Sequence, residues 1–178
     1  MKIIDKIISN FINNKSLYIG EKITISEHMI QSAMIAEKAK SSKSLICSCL
    51  LHDYGHFILE NPDQLVKKKI DGKHEDIGYE YLKKFFKNEV VEPIKYHVLA
   101  KRYLAKEKKY FNSLSEASKT SLKLQGGALN KKESKEFEKK IFFKHSVKLR
   151  KFDEVAKRTD IKVKSIIEYR DLLTSQLL

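Results

Sequence analysis

Proline and glycine are scarce in this sequence, with two and six occurrences among 178 residues. So few chain breakers exclude an architecture built on frequent tight turns, and the stretches between them repeat apolar residues with a helical period. The expected fold is all-α, one domain over residues 1–178, with 42% hydrophobic residues to supply its core. Cysteine is limited to Cys47 and Cys49. Two residues apart, they face different sides of a helix, which excludes a mutual disulfide and a zinc knuckle and leaves two buried thiols in a reducing compartment. Long hydrophobic runs are also missing, the most apolar stretch being Leu45–Leu51, so no membrane span is expected. The start of the chain lacks the apolar run of a leader peptide. Its Ile3, Ile4, Ile7, Ile8, Phe11 and Ile12 predict an amphipathic first helix of a cytoplasmic protein.

Arginine is rare as well. It is confined to Arg102, Arg150, Arg158 and Arg170, although the formal net charge is +13. The remaining basic residues are lysines spread along the whole chain, a compositional bias and not a phosphate-reading patch, so no nucleic-acid or membrane partner is expected.

Local signals place the helices. Thr24-Ile25-Ser26-Glu27 reads as a capping box opening a helix through His28 to about Lys40, and a second helix runs from Lys43 to His52. Gly72 precedes a helix from His74 carrying Ile77, Tyr81, Leu82 and Phe85. Pro93 is read as lying in the first turn of the next helix, which holds Ile94, His97 and Leu104. Residues 112–130, rich in serine and closing on Gln125-Gly126-Gly127, predict a short helix or loop, and residues 131–178 return to helix formers. Lys131–Lys140 shows mixed charge without an apolar stripe, the mark of a solvated face. His145 stands apart and is assigned no function.

What the sequence does contain is an ordered set of imidazoles and carboxylates: His28, then His52-Asp53-Tyr54-Gly55-His56, then His74, His97 and Asp153. Imidazole and carboxylate are the ligands of first-row metal ions in redox and hydrolytic sites, and a carboxylate next to a histidine can bridge two ions. The pattern reads as a two-metal enzyme. Gly55 is expected to loosen the backbone so that His56 stands beside the site.

This order of residues resembles the HD-domain superfamily of helical metal-dependent enzymes, with Leu51-His52-Asp53 as the signature pair. The nearer resemblance is to the mixed-valence di-iron oxygenases of phosphonate catabolism (PhnZ-like). It rests on Tyr18 and Glu21 ahead of His28, on Lys101 one turn after His97, on the serine-rich Leu114–Gly127, and on Leu149-Arg150-Lys151-Phe152-Asp153. The resemblance implies an HD-domain helical bundle enclosing a dinuclear site. His28, His52, Asp53 and Asp153 would hold one iron, and bridging Asp53, His74 and His97 the other, as an Fe2+/Fe3+ pair. Tyr18 would occupy the second iron at rest. Lys101, Arg150, His56 and Ser118 would bind the phosphonate, with Ser121 as a neighbour, and Glu21, read as an unpaired carboxylate, would meet an ammonium on the substrate.

The implied activity is cleavage of the carbon–phosphorus bond of a 1-hydroxyalkylphosphonate with O2. The favoured substrate is 2-amino-1-hydroxyethylphosphonate, giving glycine and phosphate. Hydroxymethylphosphonate would give formate and phosphate. The expected partners are the small-molecule phosphonate and O2, and a monomer is expected. Two rivals remain at this stage: a phosphohydrolase of nucleotides or phosphate esters on the same fold, and a basic helical module that keeps metal ligands only for stability.

Overall fold

The computed structural model describes residues 2–18, 20–59 and 71–178. Among them the regular structure is helical, and β pairing is limited to two isolated bridges, Leu17 with Thr24 and Phe86 with Leu177. Helix α1 (Ile3–Asn13) buries Ile4, Ile7, Ile8 and Phe11, while Ile12 faces solvent. Helix α2 (Ile25–Lys38) opens on the predicted capping box. Thr24 Oγ1 accepts from the Glu27 backbone N–H at 3.1 Å, and Glu27 Oε2 accepts from that of Thr24 at 2.8 Å. It ends two residues earlier than expected, Lys40 having turned into the left-handed region at φ 50°.

Helix α3 (Lys43–Leu51) is buried on most of its circumference, as its apolar run requires, and stops just before His52 and Asp53. Cys47 and Cys49 are free and fully buried there. Burial pushes both thiols up, Cys49 to about 12, so neither is a nucleophile at neutral pH. Helices α4 (Gly55–Ile58) and α5 (His74–Leu82) follow, the latter beginning at His74 as expected but stopping short of Phe85.

The long helix α6 (Asn88–Leu104) corrects the reading of Pro93. The proline lies in its sixth position, not its first turn. An interior proline leaves the carbonyl four residues back without its helical donor. Here that carbonyl belongs to Glu89, the second residue of the helix and an exposed one, so the lost bond falls at the edge of the helix and not in the core. The single Ser48 hydroxyl proton of α3 is shared between Val90 O (2.8 Å) and Ser44 O of its own helix (2.9 Å), and it ties α3 to the start of α6.

The serine-rich stretch forms α7 (Lys108–Ser113) and α8 (Glu116–Leu124), the latter capped by Ser115. Helix α8 ends where Gly126 and Gly127 take φ of 97° and 72°, a turn that side chains with a Cβ rarely adopt. Helix α9 (Lys131–Glu138) is mostly exposed and buries Ser134 and Phe137; the phenylalanine, 1% exposed, packs with Ala100, Leu129, Tyr103 and Phe143. The expected solvated face therefore carries one anchor that a search for a stripe passes over. Phe137→Ala is expected to destabilise the protein by about 3–5 kcal/mol in urea unfolding, the range for a buried phenylalanine whose site cannot collapse. Helix α10 (Phe143–Val155), a 3₁₀ turn (Ile166–Tyr169) and α11 (Arg170–Ser175) complete the chain.

Helices α2, α3, α6 and α10 pack on one another, with α5 against α6. Their shared interior brings His28, His52, His97 and Asp153 together, and α5 delivers His74 from its first residue. Among the described residues no helix is long and apolar enough to cross a membrane.

Candidate metal centre and its cavity

Two donor sets meet at Asp53. His28, His52 and Asp153 form one and Asp53, His74 and His97 the other, and all but His74 are buried. Asp53 presents a different oxygen to each. Its Oδ2 lies 3.7 Å from His28 Nε2 and 3.5 Å from His52 Nε2, while Oδ1 lies 3.1 Å from His74 Nε2 and 3.4 Å from His97 Nε2. That is the position of a bridging carboxylate.

The imidazoles are oriented from behind. The Nδ1–H groups of His28, His52 and His97 donate to the carbonyls of Ala156 (2.8 Å), Cys49 (2.8 Å) and Ile94 (2.7 Å), which leaves a lone pair on each Nε2 turned inward. His28 Nε2 then faces His52 Nε2 at 3.1 Å, and His74 Nε2 faces His97 Nε2 at 3.1 Å. The buried Asp153 Oδ1 accepts no hydrogen bond and lies 3.2 Å from His28 Nε2. Lone pairs converging on one another with a carboxylate oxygen lacking a donor are what cations between them would resolve, so the residues present fit two metal ions.

Ionisation follows the same geometry. Burial opposes charge on Asp53 and Asp153, yet the imidazoles beside the first and the Arg150 guanidinium beside the second hold both well below the ordinary carboxylate range. Burial drives His52 down to about 4. For His74 burial acts in the same sense but is outweighed by the facing Asp53, and its pKa rises to about 9.

A cavity of about 610 Å³ opens on Asp53, His74 and His97. Tyr18, Glu21, His56, Lys101, Ser118, Ser121 and Arg150 line it, so the structure gathers around one space the residues singled out in the sequence. Tyr18 stacks on His28 with ring centroids 4.0 Å apart and lines the same cavity as His74 and His97. His56 stacks on His74 at 4.3 Å. Burial, with His74 beside it, pushes its imidazole down to about 3, so it enters the site neutral.

The cations differ in how they are used. Lys101, 4% exposed, donates to Ser121 Oγ at 2.6 Å and Gln125 Oε1 at 3.0 Å, both neutral acceptors. Among the described residues no carboxylate lies within ion-pair distance of it. Arg150 instead gives Nε to the Tyr110 hydroxyl at 2.9 Å, Nη1 to Asp153 and Nη2 to Glu154, which leaves it one N–H on each Nη. Its first task is to hold Asp153. Glu21 departs from the expected unpaired carboxylate: its Oε1 accepts from Ser115 Oγ at 2.8 Å and lies 3.4 Å from Lys157 Nζ.

Tyr110, Gln125, Glu154 and Lys157 were missed in the sequence. The spacings Arg150–Glu154 and Glu154–Lys157, at i,i+4 and i,i+3, could have signalled the last two. Tyr110, forty residues from Arg150, carries no local signal.

Gly55 is needed for closeness more than for looseness. A Cβ there would fall 1.9 Å from the His74 carbonyl oxygen and 3.0 Å from Gly78 N. Gly55→Ala must therefore push the turn after Asp53 and the start of α5 apart. We expect it to weaken metal binding at the Asp53, His74 and His97 set at unchanged helix content, read by metal analysis and circular dichroism.

A family model described as the HD domain matches residues 25–170. The chain is 45% identical over 145 residues to the 1-hydroxy-2-(trimethylamino)ethylphosphonate dioxygenase (glycine-betaine-forming) of Leisingera caerulea, covering 81% of this chain and 74% of that protein. It is 40% identical over 167 residues to the hydroxymethylphosphonate dioxygenase of Gimesia maris, covering 93% and 83%. The paired donor sets, the family match and these identities together show that the chain belongs to the HD domain family and is similar to its PhnZ-like phosphonate dioxygenases.

Proposed function

We propose that the chain is an oxygenase that cleaves the carbon–phosphorus bond of a 1-hydroxyalkylphosphonate with O2. The observation that carries this reading is Asp53, which turns one oxygen to each imidazole set beneath a cavity holding a buried ammonium with no carboxylate partner among the described residues. The two relatives, both named as dioxygenases of phosphonates, support it. His28, His52, Asp53 and Asp153 would hold one iron and Asp53, His74 and His97 the other; a ferrous and ferric pair supplies O2 activation and the redox steps.

The protein's own part is binding and orientation. Lys101 takes the phosphonate dianion, helped by the remaining N–H groups of Arg150 and by His56 and Ser118. Tyr18 gives way to the substrate, and Glu21 receives an ammonium on carbon 2. We favour 2-amino-1-hydroxyethylphosphonate, which with one O2 gives glycine and phosphate, both oxygen atoms ending in the products. Hydroxymethylphosphonate gives formate and phosphate by the same balance.

Product analysis tests the reaction. Iron-loaded protein in air is expected to release phosphate with glycine from the aminated substrate and with formate from hydroxymethylphosphonate. A phosphate monoester of similar size is expected to stay intact. Hydrolysis of the ester under argon, with the phosphonates untouched, would assign the site to metal-dependent phosphohydrolysis.

A further inference from the structure

Lys157 lies behind the cavity wall, just after α10, with its backbone held from α2. The Ala156 carbonyl accepts from His28 Nδ1 at 2.8 Å. Gln31 grips the next residue twice, donating to Arg158 O at 2.7 Å and accepting from its N–H at 3.0 Å. The segment carrying Lys157 is thus fixed by the helix that carries His28.

The ammonium it delivers sits between two carboxylates. Lys157 Nζ lies 3.1 Å from Glu154 Oε1 and 3.4 Å from Glu21 Oε1, and it reaches Ser118 Oγ at 2.9 Å and Ser115 Oγ at 3.4 Å. Its side chain is 11% exposed, so these contacts are poorly screened by solvent. Glu154 is doubly served, because its Oε2 also takes Arg150. Glu21 is not: among the described residues its only cation is Lys157, at the longer distance. Glu21 and Ser118 line the cavity, and Lys157 stands outside that lining. Glu21 can therefore exchange one ammonium for another while Lys157 keeps Glu154 and Ser118.

We propose that Lys157 determines specificity for the substituent on carbon 2 of the substrate by standing in for a substrate ammonium at Glu21. With a phosphonate that carries no cation, Lys157 stays on Glu21 and the end of the cavity remains neutral. With an aminated phosphonate, the substrate's own ammonium takes Glu21 and Lys157 is left with Glu154. One cavity thereby accepts both kinds of substrate. This inference rests on the proposed reaction of the preceding subsection.

The test is the ratio of kcat/KM for 2-amino-1-hydroxyethylphosphonate to that for hydroxymethylphosphonate, measured by O2 uptake on the full, iron-loaded chain. Wild type is expected to turn over both. Lys157→Met leaves Glu21 as a bare carboxylate facing a dianionic substrate, so kcat/KM for hydroxymethylphosphonate is expected to fall about tenfold or more while that for the aminated substrate changes little. Adding Glu21→Gln to Lys157→Met is expected to restore hydroxymethylphosphonate turnover and abolish the preference, a rescue that a merely structural role for Lys157 does not predict. Glu21→Gln alone, which leaves Lys157 in place, is expected to move the ratio the other way and covers the case in which Lys157→Met does not fold. Equal losses for both substrates in Lys157→Met, or a ratio unmoved in the single variants, overturn the role of Lys157. Wild type inert toward both phosphonates overturns the reaction on which that role depends.

Discussion

Asp53→Ala is expected to lose bound iron and activity together. No other residue of the site faces both donor sets: its oxygens are 3.1 Å from His74 Nε2 on one side and 3.5 Å from His52 Nε2 on the other. Without it the second set is reduced to two imidazoles, and the first keeps a single carboxylate, Asp153. Neutral imidazoles alone do not offset the charge of two metal ions in a buried site, so affinity for the proposed iron pair falls. Metal analysis after gel filtration is expected to give well under one iron per chain in place of two. Turnover is expected to drop by about 1000-fold or more, because the step that needs the ions has no protein substitute. A variant that keeps both irons would show that Asp53 does not bridge them.

Lys101→Met separates binding from metal. Lys101 has no carboxylate partner among the described residues, so its charge is available to an anion, and truncating it removes a charge-assisted contact of about 2–3 kcal/mol, or about 30- to 150-fold in KM. Iron content is expected to stay at the wild-type level. The same residue costs stability in the absence of substrate. Burial, with Arg150 beside it, brings its pKa down to about 7, whereas in the unfolded chain it returns to the ordinary lysine range. Between pH 7 and that range the unfolded chain binds more protons than the folded one. The sign of the linkage is then positive, stability rising with pH across the window, and the penalty is fully present below pH 7. Lys101→Met removes it, so the substrate-free variant is expected to melt higher than wild type at pH 6–7. A phosphonate dianion refills the ammonium with a proton, and wild-type KM is expected to climb from pH 7 to 9 while that of Lys101→Met does not. A flat wild-type profile would place the anchoring charge elsewhere.

Local chemistry made the helices legible before any geometry was known. The capping box at Thr24, the glycine pair closing α8 and the apolar run of α3 each act within a few residues, where spacing is information. The order of histidines and aspartates is legible too as a candidate donor set, and the structure groups these six residues into two clusters of ligand atoms within 4.8 Å of one another. What escaped was decided across the chain. Pro93 reads as a helix start because a proline there is cheapest, but it stands at the sixth position of α6, where the freed carbonyl belongs to the exposed Glu89. Phe137 stands as a single apolar residue on a charged helix, invisible to a search for stripes, yet apolar side chains from elsewhere in the chain bury it. Glu21 was read as an unpaired carboxylate because nothing near it in sequence points to Lys157. The Tyr110, Asp153 and Glu154 partners of Arg150 are visible only in the fold, which leaves one N–H on each of its Nη atoms for a ligand.

Coupling of O2 to carbon–phosphorus cleavage in this cavity is tested by following both in one vessel. Anaerobically purified, iron-loaded protein is given 2-amino-1-hydroxyethylphosphonate, dissolved O2 is recorded with an electrode, and phosphate is assayed in the same sample. O2 consumed and phosphate released are expected to match mole for mole, and both are expected to cease in Asp53→Ala. Phosphate released without O2 uptake, or neither observed from protein confirmed to hold two irons and supplied with either phosphonate, would contradict the coupling.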